Sequence, residues 1–388
     1  NFGKVLINGK DCTNLPIYER ATKFRIGYVP QYGGFIQDLN LIENLELVGE
    51  IHIKQKELRK TKIEKIISQF EVDHSTLSIF SDFSANPKEE EVLLGLQIFK
   101  ENDRDGIIAI GGGSSLDLAK AIALSRHASP KEFWDNDIYN FSISKKTNIE
   151  FPPVICVPTT AGTGAEVDPG AVITKTSTQE KRILFHHRFK VKAAILDPKC
   201  SVSLPKTMTA WTGIDALVHA VEAFLVPSYN PICDVIALEA VRIIGSSLEK
   251  SFHNGADINS RAEMMVAACM AGVAFSKGLG VVHAVSHAVG GLFDTNHGQT
   301  NAVIFPHALK LNYKHVEDKL SIVAKALGTK EANFSNLEDW ITNLYEELQV
   351  PNRLAKLGVS YEDVPKIVVR AMNDICLATN PKPISKIE

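Results

Sequence analysis

Apolar and polar positions divide the chain into three stretches with different periods. From about residue 75 to 200, short continuous apolar runs alternate with helical repeats. The runs at 77–80, 106–110, 154–157 and 193–196 read as strands, and those at 89–100 and 116–124 as helices. Strands that are apolar throughout are covered on both faces, so this order predicts a parallel sheet between helical layers. After Pro205 the strand signal fades. Apolar residues at helical spacing fill 209–224, 231–249, 260–275 and 281–289 and continue to 376, which predicts an all-helical region. The first 71 residues differ again. A strand-like run at 4–7 meets a turn at Asn8-Gly9, a second run follows at 26–31, and a charged helix is expected over 54–70 with Leu58, Ile63, Ile66 and Ile67 as its apolar stripe. The expected organisation is therefore a segment 1–71, an α/β domain 72–200 and an all-helical domain 201–388.

Composition narrows the class. Of 388 residues, 45% are hydrophobic and 22% charged, with a net charge of −3, so no basic surplus points to nucleic acid or a membrane surface. No apolar run approaches the ~20 residues of a membrane helix. Six cysteines without a CxxC pair suit a reducing cytosol and argue against a disulfide scaffold or a thiolate zinc site. The first residue is not Met and no signal-peptide pattern opens the chain, so both ends read as cut points.

Two loops carry candidate ligand chemistry. Gly111-Gly112-Gly113-Ser114-Ser115-Leu116-Asp117 joins a strand to a helix, where glycines permit close backbone approach and a helix N-terminus offers free N–H groups to phosphate. It is neither a Walker A loop nor a GxGxxG fingerprint, and a plain tight turn is the alternative. Pro158-Thr159-Thr160-Ala161-Gly162-Thr163-Gly164-Ala165-Glu166 also follows a strand; it suits a polar ligand at the sheet's crevice or simply caps the next helix.

Further on, Asp215 and His219 stand one helical turn apart, His283 and His287 repeat that spacing, and His297 and His307 follow. A single histidine on an apolar face is usually a hydrogen-bonded core residue. Two such pairs in strongly apolar helices would leave several polar groups buried, and a shared divalent cation removes that cost. One carboxylate and three imidazoles suit Fe²⁺ or Zn²⁺ and leave room for a substrate oxygen.

From about Ser75 to Pro383 the chain resembles the iron-containing (group III) alcohol dehydrogenases. The resemblance rests on Asn86-Pro87, the run from Gly111 to Leu124, Pro158 to Glu166, Gly213 to Glu222, Gly280 to Gly291 and His297 to His307, all in the family's order. It implies a dehydroquinate synthase-like architecture and metal ligands at Asp215, His219, His283 and His297. It further implies cofactor contacts at Asn86, Gly112, Gly113, Ser114, Asp117, Thr159, Thr160, Thr163 and Lys181, and a non-ligand catalytic histidine, His287, near the nicotinamide. The implied reaction interconverts a primary alcohol and an aldehyde with NAD, NADP remaining open, and Fe²⁺, with Zn²⁺ as the alternative. A cytoplasmic homodimer or higher homo-oligomer is expected.

Residues 1–71 instead resemble a piece of an ATP-binding-cassette ATPase around its Q-loop, with Gln31 as the glutamine and no Walker A loop. On that reading the dinucleotide-binding domain is incomplete at its N-terminus. The alternative to an active dehydrogenase is then an inactive hybrid that keeps the metal site.

Overall fold

The computed structural model of the chain describes residues 6–7, 10–11, 78–127, 130–140 and 149–385. The chain falls into two compact units, Asn1–Val72 and Asp73–Glu388. In the first, β1 (Leu6–Ile7) and β2 (Lys10–Asp11) pair antiparallel with Leu6 opposite Asp11. The strand expected at 26–31 and the helix expected at 54–70 lie outside the described residues.

The second unit opens with the α/β region. Helix α1 (Glu89–Glu101) begins where the Glu91 carboxylate accepts the Lys88 N–H, and three acidic residues in its first turn favour that end. Strand β3 (Ile107–Gly111) leads into α2 (Gly113–Leu124), and β4 (Val154–Pro158) follows. A hairpin comes next, β5 (Ala171–Lys175) with β6 (Glu180–Leu184), and then the short β7 (Ala193–Ala194). Strands β3, β4 and β7 form a parallel sheet in that order, with Ile107 opposite Val154 and Ile155 opposite Ala193.

Three sequence expectations change here. Ser78–Phe80, expected within a strand, carries no regular structure; its apolar residues supply propensity, but no neighbouring strand pairs with them among the described residues. The run at 106–110, expected to be buried on both faces, has Ala109 against the helices while Ile108 and Ile110 remain 65% and 63% exposed. The hairpin at 171–184 is absent from the sequence reading altogether.

The chain then becomes helical: α3 (Lys206–Leu225), α4 (Pro231–His253), α5 (Ile258–Ala274), α6 (Val281–Phe293), α7 (His297–Ala326), α8 (Phe334–Glu347) and α9 (Val364–Ala371). Helix α3 is buried along almost its whole length and runs through the centre of a core that includes Ile214, Leu217, Ile244, Met265 and Phe305. A second core, around Val92, Leu116, Val154 and Ile173, holds the α/β region together. Among the described residues, no single helix is long and apolar enough to cross a membrane.

Candidate metal and cofactor site

Because α3 is enclosed by other helices, its polar residues have to be satisfied internally. Asp215, His219 and Glu222 form one stripe on it at helical spacing, all less than 7% exposed. Helix α6 contributes His283, and α7 contributes His297 as its first residue, just after Asn296 caps the helix by accepting the Gln299 N–H at 3.0 Å. Ligand atoms of Asp215, His219, His283 and His297 all lie within 4.8 Å of one another. The structure thus brings together all four residues that the resemblance marked as ligands.

The surrounding hydrogen bonds set the tautomers. Asn301, one turn along α7 from His297, donates through Nδ2 to Asp215 Oδ1 at 2.7 Å. The same nitrogen lies 3.1 Å from His297 Nε2 and 3.2 Å from His283 Nε2, so its second N–H serves one imidazole at a time. The Glu222 carboxylate beside His283 Nδ1 places that ring's proton on Nδ1 and leaves its Nε2 lone pair facing the cluster. His283 Nδ1 donates to Glu222 Oε2 at 2.7 Å, and His297 Nδ1 to Ser286 Oγ at 3.2 Å. Burial, with neighbouring imidazoles adding to it, pushes His283 and His297 well below the usual histidine range, so both rings are neutral. Burial also lifts the Glu222 carboxyl to about 7, against the hydrogen bonds it accepts from the Val282, Gly280 and His283 side.

Two atoms of this cluster, His219 Nδ1 and Asn301 Oδ1, are buried without a partner. Neutral imidazole lone pairs, a carboxylate and orphaned polar atoms converging on one point fit a divalent cation. Glu222 and Ser286 supply the outer hydrogen bonds that such ligands need.

The two glycine-bearing loops meet beside this cluster. A side chain at Gly113 would come within 2.6 Å of Thr163 Cγ2, so the loops are in contact only because that position carries no Cβ. The Thr159 N–H donates to Gly111 O at 2.9 Å, and Thr159 Oγ1 is buried without a partner. Gly162 packs so closely on α3 that a Cβ there would lie 2.7 Å from Thr212 Cβ, one turn before Asp215. Gly112 and Thr160 face each other across the same junction, and Ser114 Oγ donates to Ala85 O.

The remaining expected cofactor residues are already engaged. Asn86 donates to Asp294 Oδ1 at 2.6 Å and accepts from Lys181 Nζ, which ties the loop before α1 to the end of α6 and to the hairpin. Burial depresses the Lys181 ammonium to about 8. Asp117 accepts from the Val172 N–H at 3.2 Å and pairs with the fully buried Lys120 at 2.9 Å, fastening α2 to β5.

His287 falls outside the four-residue cluster, although its ring stacks on that of His297 with centroids 5.6 Å apart. His307 lies further along α7, in a groove lined by Glu338 and Tyr345 of α8. Sequence reasoning missed Glu222 and Asn301, whose i+3 and i+4 spacings from His219 and His297 were visible, and Asp374, which no spacing announces.

Comparison with known proteins now bears on this site. A family model described as iron-containing alcohol dehydrogenase matches residues 49–198, and one described as the C-terminal part of the Fe-containing alcohol dehydrogenase family matches 209–388. The chain is 32% identical over 353 residues to a 1,3-propanediol dehydrogenase of Klebsiella pneumoniae, covering 88% of this chain and 90% of that protein. It is 34% identical to an NAD-dependent methanol dehydrogenase of Bacillus methanolicus, covering 79% and 81% of the two chains. The crystal structure of a 1,3-propanediol oxidoreductase superposes with a TM-score of 0.73 at 33% identity, over 80% of this chain and 81% of that one. These matches correct the reading of the N-terminus. The family match begins at residue 49, inside the segment that resembled an ATP-binding-cassette fragment, and nothing supports that fragment.

Proposed function

This chain belongs to the iron-containing alcohol dehydrogenase family, and on that footing we propose that it interconverts a primary alcohol and its aldehyde with NAD(H) at the Asp215–His219–His283–His297 cluster. The observation that carries the reading is that this four-donor cluster lies directly behind the Pro158–Glu166 loop, through the packing of Gly162 on Thr212. Asp215, His219, His283 and His297 would hold a divalent cation that would supply Lewis-acid polarisation of the alcohol oxygen. The loop junction would hold a nicotinamide that would supply the hydride acceptor.

The chain's own residues account for the rest. Gly112, Gly113, Ser114, Thr159, Thr160 and Thr163 line the junction that receives the dinucleotide phosphates at the start of α2, the positive end of its helix dipole. Asn86, Asp117 and Lys181 fix the loops around it. His287 takes the hydroxyl proton. One carboxylate and three imidazoles suit Fe²⁺, the family's metal, and accommodate Zn²⁺ as well. Because the similar proteins named above act on 1,3-propanediol and methanol, small primary alcohols are the first substrates to try. A cytoplasmic homo-oligomer, with residues 72–200 holding the dinucleotide and 201–388 the metal, completes the proposal.

The test is direct. Purified protein, stripped of metal and reloaded with Fe²⁺ or Zn²⁺, is incubated with NAD⁺ and a panel of small alcohols while NADH absorbance is followed. Turnover that appears with metal and disappears in Asp215→Ala is the expected result. Cation binding without turnover on any alcohol would instead favour the inactive alternative.

A further inference from the structure

The segment after α9 returns to the site. Asp374 precedes a short helix, Ile375–Thr379, and caps it: Oδ1 accepts the Cys376 N–H at 2.9 Å. Its other oxygen, Oδ2, lies 3.0 Å from His287 Nδ1, across 87 residues of sequence. Both side chains are enclosed, at 10% exposure for His287 and 7% for Asp374.

The segment is fixed at both ends. At its start the Ile375 N–H donates to the Tyr139 hydroxyl at 2.9 Å. At its end Thr379 Oγ1 donates to Leu279 O at 2.7 Å, and Asn380 Oδ1 accepts the Val281 N–H at 3.1 Å. Val281 opens α6, the helix that carries His287, and Leu279 stands just before its N-cap Gly280. Asp374 is thus held in register with that histidine by contacts on either side of it.

We propose that Asp374 is a positioning residue for His287: it accepts the imidazole Nδ1–H and so leaves Nε2 as the unprotonated acceptor for the substrate hydroxyl. The inference rests on the dehydrogenase reading and adds to it a residue that the sequence did not single out. Burial alone would raise the Asp374 carboxyl, but the facing His287 and the hydrogen bonds with Cys376 outweigh it and hold the group below the usual range. An ionised carboxylate only accepts, so the shared proton belongs to Nδ1. As the alcohol is oxidised, its O–H proton would pass to His287 Nε2, and the O–H electron pair would become the second bond of C=O. The C–H bond would break with its pair leaving as hydride to a bound oxidised dinucleotide. The imidazolium so formed faces a carboxylate that is already in place, which favours the charged product without any reorganisation.

The test compares wild type, Asp374→Asn, His287→Ala and the double variant, each with its cation content measured. Asp374→Asn is expected to lower kcat on the order of 10–100-fold while the KM for NAD⁺ and the cation content stay at wild-type values. In the His287→Ala background the same change is expected to cost nothing more. A full additional loss there, or wild-type kcat in Asp374→Asn, would overturn the proposal. A second readout does not need turnover: with ¹⁵N-labelled histidine, the His287 Nδ1–H resonance should appear downfield in wild type and vanish in Asp374→Asn. Its absence from wild type overturns the pairing. Its presence in a protein that oxidises no alcohol would sink the dehydrogenase reading alone.

Discussion

Asn301 and Asp215 are 86 residues apart in sequence, and the amide nitrogen of one lies 2.7 Å from Oδ1 of the other. The bond joins α7 to α3 at the centre of the four-residue cluster, in a place closed to water: Asn301 is fully buried and Asp215 is 1% exposed. A buried carboxylate oxygen that loses its donor has no replacement. Asn301→Leu is therefore expected to destabilise the metal-free protein by about 1–3 kcal/mol, read from the denaturation midpoint in urea. An unchanged midpoint would show that Asp215 does not depend on this bond.

The outer partner of His283 should matter for cation affinity rather than for the dinucleotide. Glu222 holds the ring through Nδ1, so Glu222→Ala frees its orientation. Isothermal titration should show cation affinity reduced on the order of 10–100-fold, with NAD⁺ affinity unaltered. Asp215→Ala and His283→Ala, which remove donors, should lose most of the bound cation. Equal cation occupancy in wild type and all three variants would rule out the cluster as the metal site.

At the loop junction the expected effect is reversed. A Cβ at Gly113 would stand 2.6 Å from Thr163 Cγ2, closer than such atoms can approach. Gly113→Val must spread the two loops, and calorimetry should then show weakened dinucleotide binding at unchanged cation content. Wild-type NAD⁺ affinity in this variant would place the dinucleotide elsewhere.

Lys181 gives a pH dependence whose sign follows from its burial. Its ammonium is depressed from 10.5 to about 8 in the folded chain. Between those values the unfolded chain binds more protons than the folded one, so stability rises with pH across that interval. Below about pH 8 the folded state bears the cost of a partly buried charge. Lys181→Met should flatten the rise in melting temperature between pH 8 and 10.5. A slope identical to wild type would mean that Lys181 is solvated in the folded protein.

The parts of this molecule that were legible in sequence are those written in local periodicity. The continuous apolar run ending at Val157 read as a strand, which it is, and Asp215 with His219 at one helical turn had to share a face once helical. Helical spacing made the Asp215–His219 and His283–His287 pairs readable, whereas the choice of His283 and His297 over His287 came from the family resemblance. The hairpin was missed because its second strand, Glu180–Leu184, is mostly polar and half-buried, so its alternation is faint. The strand expected around Ile79 failed for the opposite reason: local propensity was present, but Ile79 is 60% exposed and pairs with nothing among the described residues. Asp374 was invisible because the bond that makes it interesting closes a loop of 87 residues, and no local pattern encodes such a closure.

The four donors come from three helices, α3, α6 and α7, that do not depend on one another's sequence neighbourhood. In the language of linked equilibria, a cation that recognises them assembled and not dispersed turns its own chemical potential into folding free energy. Above the dissociation constant, each tenfold rise in free cation adds about 1.4 kcal/mol to the stability of the folded chain. If the cluster holds its cation as proposed, the durability of this protein is set in part outside its sequence, by the free metal around it.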